Sequence, residues 1–197
     1  MKNFLKTGLV VVAFLTAFVA NANEKDFSLK VKSEKGKTVS FSINESQNIN
    51  LAIYGKNNET LHEESIHSNG RIKRTYDLNA FPEGKYILEI DTDFRLTQYE
   101  IRIKNGAAII SEKAVYEIFK PILKKENGLV KLMISNTDNS PVEVVIMDEN
   151  RTELYTAVYE NKSSFSKVFD TTFAPAQRLT FVVKYNDQIF SETIATR

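Results

Sequence analysis

His62 and His67 are the two histidines of the chain, and in LHEESIHSNG they bracket Glu63 and Glu64, residue types that suit a metal. Zinc ligands must converge at about 2.0 to 2.1 Å. On a strand, positions five apart point to opposite faces, so the two rings diverge and the stretch reads as a solvated strand and turn. Neither histidine is accompanied by the nucleophile-elbow sequence of a serine hydrolase. Asp91 and Asp93 in DTDF and Asp138 in NTDN offer oxygen ligands for calcium, yet neither stretch has the EF-hand loop pattern, and both read as turns. The glycines are isolated at turns rather than gathered in a phosphate-cradling loop. With 0 cysteines, thiolate nucleophiles, cysteine metal sites, disulfides and a lipid-modified cysteine are all excluded. The expectation is a protein that is not an enzyme and uses no metal or cofactor. Aromatic residues remain: 8 tyrosines and 13 phenylalanines, with 0 tryptophans. Phe41, Phe165, Phe169 and Phe181 fall at alternating core positions, whereas Tyr54, Tyr155 and Tyr159 are surface candidates for a stacking platform.

Strands must position these groups. Apolar residues alternate with polar ones at Phe27, Leu29 and Val31, at Val39, Phe41 and Ile43, at Leu51 and Ile53, and at Tyr86, Leu88 and Ile90. The order then repeats. Val39, Phe41 and Ile43 return as Val130, Leu132 and Ile134, 91 positions on. Beyond the next loop the offset is 93, and it holds for Leu51 and Val144, Ile53 and Ile146, Leu61 and Leu154, Ile72 and Phe165, Tyr76 and Phe169, Asp77 and Asp170, Pro82 and Pro175, Tyr86 and Leu179, Leu88 and Phe181, Ile90 and Val183, and Ile101 and Ile194.

Each copy carries seven strand candidates, near 27–32, 38–44, 50–55, 59–66, 71–77, 85–91 and 96–104, then near 114–120, 129–135, 142–148, 153–160, 164–170, 178–185 and 188–195. Short strands with turns every 8 to 12 residues predict an all-β fold of two tandem antiparallel β-sandwiches, immunoglobulin-like or fibronectin type III-like. The expected boundaries are a leader over 1–22, a first domain over 23–107 and a second, its internal repeat, over 108–197. The stretch 111–125 also reads as a helix, but Pro121 interrupts it and the repeat places a strand there. Glu83-Gly84 precedes a strand, where glycine supplies a backbone conformation other residues resist.

The leader starts with Lys2 and Lys6, continues through an apolar run from Gly8 to Val19 and ends on Ala20-Asn21-Ala22, the pattern of a secretory signal peptide cut after Ala22. The apolar run is shorter than a bilayer span, so no membrane segment is expected after cleavage. Loss of the two lysines takes the formal charge from +1 to −1, with both signs interspersed. Bulk charge therefore attracts neither nucleic acid nor an anionic membrane. Absent disulfides favour a bacterial export compartment, giving a periplasmic, outer-surface or extracellular protein.

The series LAIYG, an Asn-containing turn, YDLNAFPEGKYILEI and EIRIKNG resembles the type A C-terminal sorting domain of the Bacteroidetes type IX secretion system. That family's signature, aspartate-leucine, small residues, then proline-x-glycine-x-tyrosine, falls on Asp77, Leu78, Pro82, Gly84 and Tyr86. The resemblance covers roughly 39 to 106 and more faintly 130 to 195, where Gln177 and Leu179 replace the glycine and the tyrosine. It implies a β-sandwich recognised by an outer-membrane secretion machinery. From the residues themselves, the motif is a folding device of loop and core strand.

The function expected is a non-catalytic binding or structural module that meets an envelope or extracellular protein or glycan through loops or an exposed edge strand. A type IX secretion substrate or accessory protein is the first alternative. A hydrolase with an interdomain site is the second, and it requires converging carboxylates with perturbed pKa values.

Overall fold

The structure is a computed structural model that describes residues 30–33, 36–135, 139–160 and 164–196. The leader at 1–22, the alternation at Phe27 and Leu29, and Asp138 lie outside those residues. Fourteen strands and no helix occur among the described residues: β1 Lys30–Ser33, β2 Thr38–Tyr54, β3 Thr60–Asp77, β4 Gly84–Thr92, β5 Arg95–Lys104, β6 Ala107–Ile110, β7 Tyr116–Phe119, β8 Ile122–Glu126, β9 Leu129–Ser135, β10 Val142–Met147, β11 Glu153–Tyr159, β12 Ser164–Asp170, β13 Arg178–Tyr185 and β14 Gln188–Ala195. The fold is all-β, built as antiparallel sandwiches.

Two compact units divide between Ile118 and Phe119. In the first, hydrogen bonds run β1-β2-β4-β5-β6, with β3 added to β2 and β7 added to β5. In the second, one sheet runs β11-β10-β13-β14 and the other β12-β9-β8. The two schemes are the same arrangement at the level of individual partners. Ile53 lies opposite His62 and Leu88, and 93 positions on Ile146 lies opposite Tyr155 and Phe181. Likewise Leu88 faces Tyr99 as Phe181 faces Glu192, and Val39 faces Tyr76 as Val130 faces Phe169. A one-residue slip would turn every core side chain outward, so the shared register follows from the shared alternation.

The copies differ in continuity. The expected breaks near 45–49 and 67–70 are absent, because β2 and β3 pass through both layers as single strands. In the second copy the same path is interrupted: Pro141, which has no N–H for a ladder, stands immediately before β10.

The first core gathers Val39, Phe41, Ile43, Leu51, Ile53, Leu88, Ile90 and Ile101, none more than 1 % exposed. Burying each such side chain contributes about 1.5 to 3 kcal/mol before chain entropy is counted. Val130, Leu132, Val144, Ile146, Phe169, Leu179 and Phe181 do the same in the second unit. Leu61, which the repeat pairs with Leu154, is 41 % exposed, because it sits at the start of an edge strand beside the turn at 55–59.

Three tight hairpins rest on left-handed residue pairs: Asn105-Gly106 joins β5 to β6, Asn127-Gly128 joins β8 to β9, and Asn186-Asp187 joins β13 to β14. Positive φ at both central positions matches strand twist, and asparagine and glycine adopt it cheaply. The first of these hairpins moves the end of the first unit. Ala107–Ile110 returns along β5, with Ile110 opposite Ile101 and Ala108 opposite Ile103. Then β7 joins β5 as well, with Ile118 buried. The strand expected at 114–120 as the first of the second copy thus belongs to the first unit, which continues to Ile118 rather than ending at 107. Pro121 follows β7, and β8 takes the corresponding place beside β9.

Candidate binding surface

The motif residues build one corner of the first sandwich. Asp77 ends β3 and accepts the backbone N–H of Asn79 at 2.9 Å, a turn closed by its own side chain. Leu78 is buried, its N–H donating to the carbonyl of Lys37, and Phe81 N–H donates back to the carbonyl of Leu78. The Tyr86 hydroxyl donates to the Pro82 carbonyl at 2.8 Å while its ring packs on Phe81. Burial first, and then Glu59, raises the Tyr86 pKa, keeping it a neutral donor. A tyrosine bonded to backbone a few residues upstream is a device that pins sandwich loops.

The second copy makes this corner differently. Asp170 accepts the N–H of Thr172 at 2.9 Å, and hydrogen bonding from Thr172 holds its carboxyl below the usual range. Thr171 takes the place of Leu78 and donates twice to the Gly128 carbonyl, through N–H and hydroxyl, each at 2.8 Å. Leu179 fills the core where Tyr86 stands, and the Thr196 hydroxyl donates to Ala176 instead. Gly84 departs from expectation. Its φ lies outside the left-handed region, and an added Cβ would meet only the Tyr86 ring at 3.7 Å. Gln177 therefore occupies the equivalent position without strain.

Tyr54 borders a shallow concavity of about 300 Å³ together with Asn58, Ile87, Glu89 and Gln98. Both oxygens of Glu89 are engaged, one by the Tyr54 hydroxyl at 3.3 Å and the other by the Gln98 amide at 2.7 Å. Burial, followed by Glu89, raises the Tyr54 pKa. At the equivalent positions of the second copy stand Met147, Arg151, Thr180, Val182 and Ser191, so the acidic, hydrogen-bonding set belongs to the first copy alone.

Tyr155 and Tyr159 lie on β11 at the seam where the two sheets of the second unit meet. Tyr155 packs edge-on against Phe169 and Tyr159 against Phe165, with centroids 5.4 and 4.7 Å apart. Their hydroxyls bond each other, and Lys167 lies 5.7 Å above the Tyr159 ring. Burial and then the bond from Tyr155 push the Tyr159 hydroxyl well above its usual pKa. These two rings close the core rather than forming a platform outside it.

The histidines separate as strand geometry requires. His62 points into the first seam, 5.2 Å from the Tyr76 ring, with Nε2 buried and without a hydrogen-bond partner. His67 is exposed and meets Asn48 Oδ1 through Nδ1 at 2.8 Å. Asp93 accepts both the backbone N–H and the amide of the same Asn48, at 3.1 and 3.3 Å, which closes the hairpin end. Among the described residues no three His, Asp or Glu side chains gather into a metal-sized group.

Edges are the feature that side-chain motifs did not reveal. Among the described residues β14 pairs with β13 alone, whereas its counterpart β5 pairs with β4, β6 and β7. The Asn105-Gly106 dipeptide was the available signal, since it announces the hairpin that covers β5.

No family model matches the chain, and no curated protein matches it either. Among solved structures it is similar to a chain described as "Biofilm associated protein - BSP domain", at 16% sequence identity and a TM-score of 0.28. The match covers 84% of this chain and 29% of that one.

Proposed function

We propose that this chain is an exported, non-catalytic binding or structural module of a Bacteroidetes-type bacterium, which recognises a partner through an exposed strand edge. The observation that carries the reading is the uncovered β14, a row of backbone donors and acceptors that soluble sandwiches ordinarily cover or blunt. The basic, apolar and small-residue order of 1–22 supports export. The test is a tagged full-length chain expressed in a Bacteroidetes host, with fractionation, N-terminal sequencing and a photo-crosslinking residue placed in turn at Ile189, Ser191 and Val158. The expected result is a mature chain starting at Asn23 in the periplasmic or extracellular fraction, with a discrete adduct from an edge position. An uncleaved cytosolic chain, or no adduct from any edge position, overturns the reading.

The type IX secretion alternative is favoured by one observation, the complete Asp77, Leu78, Pro82, Gly84 and Tyr86 set in the first copy. It expects extracellular protein to vanish when the secretion channel is deleted. Unchanged fractionation removes it.

A further inference from the structure

In the first unit the edge of β5 is occupied by the chain itself. The carbonyls of Gln98 and Glu100 turn outward and accept the N–H groups of Val115 and Ser111 at 2.8 and 2.9 Å, and Glu100 N–H donates to the Ser111 hydroxyl at 3.2 Å. Ala114, between those two bonds, packs against the core. Under this cover the inward residues of β5 are sealed, with Thr97 2 %, Tyr99 9 % and Ile101 0 % exposed.

The second unit has the same edge without the cover. Residues 93 positions on share the β5 register, so the backbone groups of Ser191 and Thr193 turn outward. The inward residues Phe190 and Ile194 are only half-buried and Glu192 is exposed. One further outward carbonyl, that of Ala195, accepts from Lys125 Nζ at 2.7 Å, an edge lysine that blunts that end of the strand.

Glu192 decides what sort of strand fits. It stands where Tyr99 stands in the first unit, opposite Phe181 on the core side. Pairing β14 with β14 of a second copy, so that Ser191 opposes Thr193, sets Glu192 against Glu192, and like charges directly opposite are destabilising. A foreign strand with a basic residue at that position meets the carboxylate instead. We infer that β14 is a strand-acceptor site for an extended segment of another protein, with aliphatic residues flanking one lysine or arginine that faces Glu192. The site adopts the mode in which β7 and its approach cover β5. It rests on the binding-module reading above and names the edge and the chemistry of the occupant. The edge of β11 is a weaker candidate, because its counterpart, the start of β3, is an edge in both copies.

The probe is a fluorescent synthetic peptide of residues 107–120, AAIISEKAVYEIFK, made with Ala114→Lys and with Ala114→Glu, titrated against the full chain by anisotropy. The Lys peptide is expected to bind about tenfold more tightly than the Glu peptide, as a close charge pair at an edge permits. Glu192→Lys in the protein reverses that order. Thr193→Pro removes an outward backbone donor, along with the Thr193 hydroxyl bond to Thr180 on β13, and abolishes binding, with a thermal melt confirming the fold. Equal binding of both peptides, or no exchange of preference in Glu192→Lys, overturns the proposal. So does a dimer that dissociates on Thr193→Pro. If neither peptide binds while crosslinking in cells still yields an adduct at Val158, this edge is wrong and the binding-module reading stands. If crosslinking also fails, both fall.

Discussion

Glu64 and Tyr76 stand 12 residues apart on a single strand, yet the tyrosine hydroxyl donates to the carboxylate at 2.8 Å. Extended, that stretch spans about 40 Å, so β3 bends sharply and brings its two ends together across the layers of one continuous sheet. The seam so formed also holds Arg74, 3.4 Å from Glu64, and the Tyr76 ring stacked on Phe41. In the second copy the two partners are Ala157 and Phe169. A hydrogen-bonded pair has been exchanged as a pair for an apolar one.

Tyr76→Phe is therefore expected to cost about 1 kcal/mol, while Glu64→Ala together with Tyr76→Phe recovers part of it, because no half of the pair is then left buried alone. A double-mutant cycle by urea unfolding measures the coupling, and additive losses would count against the pairing. Burial first and then Glu64 push the Tyr76 hydroxyl well above its usual pKa. The neutral form is thus favoured on folding, its contribution is complete below about pH 10 and it declines above that. Tyr76→Phe should flatten the alkaline fall in stability.

Tyr86→Phe leaves the Pro82 carbonyl without its donor and should lower stability by about 1 kcal/mol. If the motif is a folding device, the purified variant loses melting temperature in proportion while export is unchanged. Export lost from a variant of unchanged stability would point to recognition by the sorting machinery.

Glycine matters where the backbone demands it. Gly128 has φ +76, and an added Cβ would lie 2.5 Å from Thr172 Oγ1, so Gly128→Ala should cost on the order of 1 to 3 kcal/mol. Gly84→Ala faces neither obstacle and should be neutral or stabilising by up to about 1 kcal/mol. Chemical denaturation of the two variants checks the contrast.

Arg151 adopts φ 63 in the turn where the first copy has Asn58 at φ 58. The two turns share their bonds, Asn58 N–H to the Gly55 carbonyl and Arg151 N–H to the Asp148 carbonyl. Asparagine tolerates this region better, so Arg151→Asn should raise stability by about 0.5 to 1 kcal/mol. An unchanged or lowered melting temperature would speak against strain there.

The Glu192 side chain is exposed at its surface, yet it stands on the core side opposite Phe181, and partial loss of solvation there raises its carboxyl pKa. A carboxyl raised on folding favours the protonated form, so ionisation withdraws stability as pH rises through the folded value. Glu192→Gln should be more stable than the parent at pH 7, with the difference vanishing below about pH 4. Melting curves across that range decide it.

The alternation at Val39, Phe41, Ile43, Leu51, Ile53, Leu88 and Ile90, and its return 91 and 93 positions later, was legible from residue types alone. Side-chain direction on a strand alternates locally, so the pattern names the core face, and two copies with one pattern must share one register. The turn within the Asp77 to Tyr86 corner was legible because its Asp77–Asn79, Leu78–Phe81 and Pro82–Tyr86 bonds close within a few residues, whereas the bond from Leu78 to the distant Lys37 carbonyl was not. The Asn105-Gly106 and Asn127-Gly128 hairpins are also written in the chain as left-handed pairs. They set β6 in the first unit and β8 at the start of the second. Gly84 has ordinary backbone geometry because its place in the corner is set by the strand that follows rather than by its residue type.

The sequence by itself determined an all-β chain with two copies of one strand order, because hydrophobic period and turn chemistry act over a few residues. Only the tertiary structure decided that Glu64 meets Tyr76, that Tyr155 and Tyr159 seal a seam, and that β5 is covered while β14 is open. Those outcomes depend on strands brought together from distant parts of the chain: Asn105-Gly106 marks a hairpin onto β5, but the pairing of β7 with β5 and the open edge of β14 are set by tertiary packing.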